Sequence, residues 1–211
     1  MRVYVVGEDA VTKAVLKRIL DFSSKKIEII SELPARGGQI NSKLAEFDKL
    51  SYVHPVLLLT DLDTYSCAPE LLQRQFTQES YPKGKNNHFI FNVAIDEAEA
   101  WLMADRKGFA DYFSIDITDI SDAEPMKQGD NKALVEMKFP CKSSYYLMSQ
   151  LIQKSRNADY KKQLTPKNRA KKGPEYNACI LPFIQNKWNI NAAKKNSDSL
   201  NRMIKRISGL Q

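Results

Sequence analysis

The chain has 211 residues, 43% of them hydrophobic and 27% charged, with a formal net charge of +7. That length holds one domain of ordinary size, or a core with a second lobe, and the composition is globular rather than disordered. The longest aliphatic runs, such as VLLL at 56–59, are far too short to span a bilayer, and MRVYVVGEDA has too short an apolar run for a secretory signal. Residues 2–6, RVYVV, are apolar and β-rich and predict a first strand. After GED, AVTKAVLKRIL places Val11, Val15, Ile19 and Leu20 at helical spacing, with Lys13, Lys17 and Arg18 facing elsewhere. IEIISEL (27–33) predicts a second strand, ARGGQ a turn and INSKLAEFDKL a helix. VLLLTD (56–61) predicts a third strand, hydrophobic throughout as a strand buried on both faces is. APELLQRQF predicts a helix, HFIFNVAI (88–95) a fourth strand and DEAEAWLMAD a further helix. Residues 114–131, SIDITDISDAEPMKQGDN, are polar and punctuated and predict a linker or crossing loop. The rest is mainly helical: SYYLMSQLIQ, the basic YKKQLTPKNRAKKGPE, NACILPFIQNKW and SDSLNRMIKRI. In the last, Ser197 or Asp198 caps a helix whose apolar stripe is Leu200, Ile204 and Ile207.

Strands alternating with helices imply an α/β fold, a mostly parallel sheet flanked by helices. The expected organisation is an α/β core over residues 1–113, a linker over 114–131, and a basic, mainly helical C-terminal lobe over 132–211 packed on the core. Cys67, Cys141 and Cys179 are odd in number and scattered, which reads as reduced thiols in a cytoplasmic protein rather than a disulfide frame or a zinc site. His54 and His88 are the only histidines, so a histidine-rich metal site is not expected; both read as core residues, as do Trp101 and Trp188. Charge is divided unevenly. Residues 126–211 carry 18 Lys and Arg against 5 Asp and Glu, a net +13, whereas residues 1–125 carry 14 against 20, a net −6. The bland reading is a set of solvated helix faces. The sharper one is a basic half that grips a polyanion and an acidic half that holds cations acting on it.

Ligands of parallel α/β sheets sit beyond the carboxyl ends of the strands. Glu8 and Asp9 follow the first strand, Asp61 and Asp63 the third, and Asp96, Glu97 and Glu99 the fourth. If the first and third strands are neighbours, Glu8 and the aspartate pair converge, and a cation relieves their repulsion. Oxygen ligands without histidine suit Mg2+ or Mn2+. In an extended segment Asp61 and Asp63 point the same way, so both can face one ion. Taken singly, each acid has a structural use. Asp9 can cap the first helix, Asp63 the helix of PELLQ, and Asp96 the helix after the fourth strand with Glu99 in a capping box. Glu8 has the weakest structural explanation, because Asp9 already supplies a cap.

VYVVGEDAVTKAVLKRIL followed by VLLLTDLD resembles the TOPRIM domain of primases, topoisomerases and the nucleases of the overcoming-lysogenization-defect family. IDEAEAWLMADRKGFADYF is similar to the E-x-E-A-W-L-x-A-D stretch of a TOPRIM-like bacterial group, DUF4276. KKGPEYNACILPFIQNKWNINAAKKNSDSLNRMIKRI is similar to that group's C-terminal stretch, which ends in a Ser-x-Ser-Leu-x-Arg helix. The resemblance implies that Glu8 is the TOPRIM glutamate, a metal ligand or a general acid or base, and that Asp61 and Asp63 hold Mg2+. It implies that Glu97 and Glu99 lie near a second ion. It also implies a neighbouring-gene ATPase as partner and a part in defence against phage. One departure is Asp9, where the TOPRIM glutamate is usually followed by glycine.

Lys161, Lys162, Lys167, Arg169, Lys171 and Lys172 crowd around Pro166 and Gly173, and such a segment can meet phosphates without reading sequence. Tyr160 and Tyr176 flank it, either stacking on bases or packed in the lobe. Lys194, Lys195, Arg202, Lys205 and Arg206 form a second basic patch. The expected function is a metal-dependent phosphodiesterase, a nuclease on DNA or RNA. The alternative is a non-catalytic adaptor that binds nucleic acid or docks on the ATPase. A receiver-like phospho-acceptor fits less well, because the acidic pair follows the third strand rather than the first.

Overall fold

The computed structural model describes residues 1–35, 39–62, 65–81, 84–128, 132–168 and 170–210. They group into two compact units, residues 1–95 with 203–211, and residues 96–202.

In the first unit, β1 (Arg2–Gly7), β2 (Glu28–Glu32), β3 (Val56–Asp61) and β4 (Phe89–Ala94) form an all-parallel sheet in the order β2-β1-β3-β4. In chain order α1 (Ala10–Phe22) follows β1, α2 (Gln39–Leu50) follows β2 and α3 (Ala68–Gln75) follows β3. Successive strand residues face opposite sides. Val6, Val56, Leu58, Phe89 and Phe91 pack with Ile40, Leu44 and Phe47 of α2 and Leu71 of α3. Val3, Val5, Leu57 and Leu59 point the other way and are just as buried. α1 contacts β1 and β3 and buries Val11, Val15, Leu16 and Ile19. Burial on both faces is why β1 and β3 read as unbroken apolar runs. The expectation of an α/β fold with a parallel sheet flanked by helices therefore holds. β2 lies at one edge and is more exposed; its Glu28 and Glu32 pair with Arg2 and Lys17, charges that guard an edge against further strand pairing.

In the second unit, α4 (Ala98–Met103) and α5 (Arg106–Phe113) precede an antiparallel pair, β5 (Ala123–Gln128) and β6 (Lys132–Met137). α6 (Ser143–Tyr146) continues as a π turn over 147–151 and a 3-10 turn over 152–154. α7 (Ala158–Leu164), α8 (Tyr176–Asn186) and α9 (Ile190–Ala193) follow, and α10 (Asp198–Ser208) starts here. Trp101 and Trp188 are buried, as expected. Trp101 donates from Nε1 to the Ser199 hydroxyl at 2.8 Å, and Trp188 from Nε1 to the Trp101 carbonyl at 3.2 Å, so both indole N–H groups are satisfied inside the core. Ser197 caps α10, its hydroxyl accepting the Leu200 N–H at 3.3 Å, while Asp198 accepts the Val135 N–H at 2.8 Å. Leu200, Met203 and Ile207 are the buried positions of α10; Ile204 is only half-buried.

The division of the chain differs from the expected one. The units part at 95/96 rather than at 113, and the last nine residues group with the sheet. Residues 123–128, expected as linker, form β5, and 132–137, expected in a helical lobe, form β6. AEPMKQ has a proline and almost no strong β-formers, so its pairing with KALVEM has no local signal. His88 is exposed and His54 half-buried, so neither is a core residue. No described helix is long and apolar enough to cross a membrane.

Candidate metal centre

The strand order reverses between β1 and β3, since β2 lies outward of β1 and β4 outward of β3. At such a switch point the connections leave in opposite directions and open a crevice past the carboxyl ends of the strands. β1 and β3 run in register from Tyr4 beside Val56 to Gly7 beside Leu59. The next residue on β1 is Glu8, and Thr60 donates from its hydroxyl to Glu8 Oε2 at 3.2 Å. Asp61 is the last residue of β3 and pairs with Ala94 of β4. Glu8 and Asp61 are both half-buried. The structure thus sets Glu8 and Asp61 on adjacent strand ends, 53 residues apart in the chain. Asp63 lies outside the described residues.

The turn from β1 into α1 is tight, and Gly7 makes it so. A Cβ at Gly7 would come within 2.7 Å of the Lys13 backbone nitrogen and 2.9 Å of the Thr12 hydroxyl. Two residues later Asp9 caps α1. Its carboxylate accepts the Thr12 N–H at 2.9 Å, and the Thr12 hydroxyl accepts the Asp9 N–H at 2.9 Å. Asp9 thus has the structural role open to it from sequence, and Glu8 is the acid left over at this end of the sheet.

Comparison with protein-family models, curated proteins and solved structures finds no match to this chain. The chemistry therefore has to come from the donor set. Among the described residues, no three His, Cys, Asp or Glu side chains converge as a complete metal cage. Glu8, level with Thr60, and Asp61, the next residue on β3, leave opposite faces of the strand ends, so an ion shared by both would sit past the ends themselves, where Mg2+ held by one or two carboxylates, several waters and substrate phosphates fits. The absence of histidine there suits a hard cation rather than Zn2+.

Glu97 and Glu99 belong to the second unit and are 8% and 3% exposed. Glu97 Oε2 accepts the Ser144 N–H at 2.8 Å and the Ser143 hydroxyl at 3.5 Å, with Lys142 Nζ 3.8 Å from the other oxygen. Glu99 Oε1 accepts the Tyr176 hydroxyl, and Lys172 Nζ lies 3.9 Å away. Such partners satisfy the oxygens of a buried carboxylate. A structural use therefore accounts for each, and a part in holding a second ion rests on the resemblance alone. Asp96 is not the cap of α4: Glu97 takes the N-cap position and makes no side-chain cap bond. The Asp96 carboxylate instead accepts the Ser143 N–H at 2.9 Å, from a backbone with φ of 67°, and burial pushes its pKa up to about 6.

The basic residues separate by what they touch. Lys161 and Lys162 ride on α7, and Lys162, Lys167, Lys171 and Lys205 are exposed. Arg169 lies outside the described residues. Lys172 stands over the Tyr176 ring at 4.5 Å as well as beside Glu99. Arg202 lies near the buried Glu136 and opposes the rise in pKa that burial imposes on it. Arg206 Nη1 donates to the carbonyl of Phe91 and to Asn92 Oδ1. Tyr176 is 3% exposed and Tyr160 packs on Tyr112 and Phe113, so both are packed rather than open platforms for bases. Sequence reasoning passed over Thr60 and Gly7. The glycine between a strand and a helix was a legible sign of a close approach; nothing in the sequence marked Thr60.

Proposed function

We propose that this protein is a metal-dependent phosphodiesterase, a nuclease acting on DNA or RNA with Mg2+ or Mn2+. The observation that carries the reading is the pairing of β1 with β3 at the reversal of strand order, which sets Glu8 beside Thr60 and next to the strand that ends in Asp61. Glu8, Asp61 and Asp63 hold the ion. When bound, the ion polarises a phosphoryl oxygen and lowers the pKa of a water. The chain's own contribution is position. The β1–β3 ladder fixes the two strand ends, and the Thr60 hydroxyl holds one Glu8 oxygen in a set orientation. Lys161, Lys162, Lys167, Arg169, Lys171, Lys172, Arg202, Lys205 and Arg206 supply charge for the phosphate backbone, those already engaged with Glu99 or Glu136 contributing least. The resemblance to the DUF4276 group adds an ATPase partner and a role in defence against phage.

Titration calorimetry with Mn2+ and incubation with single- and double-stranded DNA and RNA test this directly. The expected result is Mn2+ binding and cleavage, both lost in the Asp61→Ala, Asp63→Ala double variant. The adaptor reading draws on acids with structural uses: Asp9 caps α1, and Glu97 accepts the Ser144 N–H inside the second unit. It expects little Mn2+ binding, no cleavage, and intact docking on the ATPase in the same variant.

A further inference from the structure

β4 ends the sheet, so one side of it meets no strand among the described residues. Its carbonyls at His88 and Ala94 accept from Val56 and Leu62 on the β3 side. By alternation, the carbonyls of Phe89 and Phe91 face the open side. Two cations occupy them. Lys85 donates from Nζ to the Phe89 carbonyl at 2.6 Å, and Arg206 from Nη1 to the Phe91 carbonyl at 3.2 Å. Two residues of strand separate these carbonyls by roughly 6.6 Å, so the cations are neighbours. Burial and then the charge of Arg206 lower the Lys85 pKa, against a smaller opposing pull from Asp48.

Asn92 explains how Arg206 is aimed. It is 3% exposed, and its Oδ1 accepts from Arg206 Nη1 at 3.3 Å. The amide cannot be turned round, because Nδ2 would then face another donor. Held this way, Nδ2 is buried and makes no hydrogen bond among the described residues. A buried unmet donor destabilises the fold, and a leucine of similar size would avoid it. The return for that cost is an oriented guanidinium on the same sheet face as Asp61, whose strand partner Ala94 lies two residues beyond Asn92.

We propose that Lys85 and Arg206 form a phosphate-binding pair on the open edge of β4, with Asn92 as its positioning residue, and that it grips the backbone of a nucleic-acid strand bound at the first unit. The inference rests on the nuclease reading for its substrate class, and its test separates the two. The full chain is titrated into a fluorescein-labelled thymidine 30-mer in EDTA over a range of salt, and cleavage of the same oligonucleotide is followed in Mn2+. Lys85→Gln with Arg206→Gln keeps an N–H for each strand carbonyl and removes both charges. It is expected to flatten the plot of log affinity against log salt by about 1.4, from about 0.7 for each phosphate left without its cation. Asn92→Leu is expected to weaken binding several-fold with its melting temperature unchanged or raised, a combination that loss of a structural bond does not give. Lys26→Gln, between α1 and the opposite edge strand β2, should leave binding unaltered. An unchanged slope in the double variant, whether or not DNA is cut, overturns the pair, as does the absence of any binding at low salt. A flattened slope without cleavage of this oligonucleotide by the unaltered chain upholds the pair and removes single-stranded DNA from the substrates of the nuclease.

Discussion

The acids of the first unit and those of the second are the same residue types in opposite circumstances. Glu8 and Asp61 are half-buried at the ends of β1 and β3, where a parallel sheet receives its ligands. Glu97, Glu99, Asp105 and Glu136 are at most 8% exposed, and each accepts hydrogens from the protein itself. Asp105 takes the N–H groups of Asn189 at 2.8 Å and Gly108 at 3.2 Å. Glu136 takes the Ser197 hydroxyl at 2.7 Å and the Ser199 N–H at 2.5 Å, at the start of α10. The difference teaches that a half-open carboxylate at the ligand side of a parallel sheet is a better candidate for chemistry than one sealed in the core with its donors.

The largest effect should come from Asp61→Asn, which removes a charge and almost no volume. Cleavage is expected to fall about a thousandfold, roughly 4 kcal/mol of barrier, with the melting temperature nearly unmoved. Retained cleavage, or a fall in melting temperature instead, would place Asp61 with the structural acids and break the comparison. Glu136→Ala should do the reverse. It strands the Ser199 N–H and the Ser197 hydroxyl in the core, a loss of roughly 3 kcal/mol and on the order of 10 °C in melting temperature. Metal affinity measured below the transition should stay as it was.

Acidity sharpens the same contrast. Burial raises the Glu136 pKa above the ordinary glutamate value, so the folded state keeps its proton to higher pH than the unfolded chain does. That stability is fully present below the unfolded pKa and is lost as pH rises through the folded one. Glu136→Gln, which cannot ionise, should therefore compare better with the unaltered chain at pH 7 than at pH 4 in urea melts. A variant that compares worse at pH 7 would show that the charged form is the favoured one.

Much of the first unit was legible because its signals are local. A strand buried on both faces reads as VLLLTD, and an amphipathic helix reads as AVTKAVLKRIL, so strands and helices fell where their patterns put them. The position of Glu8 relative to β3 was conditional on strand order, which pattern alone does not carry; the register of β1 on β3 puts it beside Thr60. The second unit was read poorly for the opposite reason. β5 and β6 hold together by pairing with each other, and AEPMKQ has no strand signature of its own. Glu97 and Glu99 sat in a motif that drew attention as possible ligands, yet their partners Ser144 and Tyr176 are 47 and 77 residues away. Distance in the chain hides a buried carboxylate's donors from any local reading.

Gly7→Ala tests whether the strand end depends on close packing of the turn. The new Cβ would meet the Lys13 backbone nitrogen at 2.7 Å, and backbone at the start of α1 cannot swing aside as a side-chain tip can. The expected cost is about 2 kcal/mol, with weaker Mn2+ binding because Glu8 follows directly. An alanine tolerated without loss of either would mean that Glu8 is not placed by this turn.

The smallest effect belongs to Asp9, which stands at the first unit's strand end but behaves like the acids of the second. It accepts the Thr12 N–H and donates its own to the Thr12 hydroxyl, a complete capping box. Replacing a capping Asp by alanine costs about 1 kcal/mol, and by glycine only about a few tenths, because glycine leaves the helix end open to water. Asp9→Ala and Asp9→Gly should therefore differ in melting temperature in that order and agree in Mn2+ affinity. If Mn2+ affinity instead drops equally in both while the melting temperatures coincide, Asp9 is a ligand rather than a cap, and location at a strand end outweighs hydrogen-bond satisfaction as the guide to function.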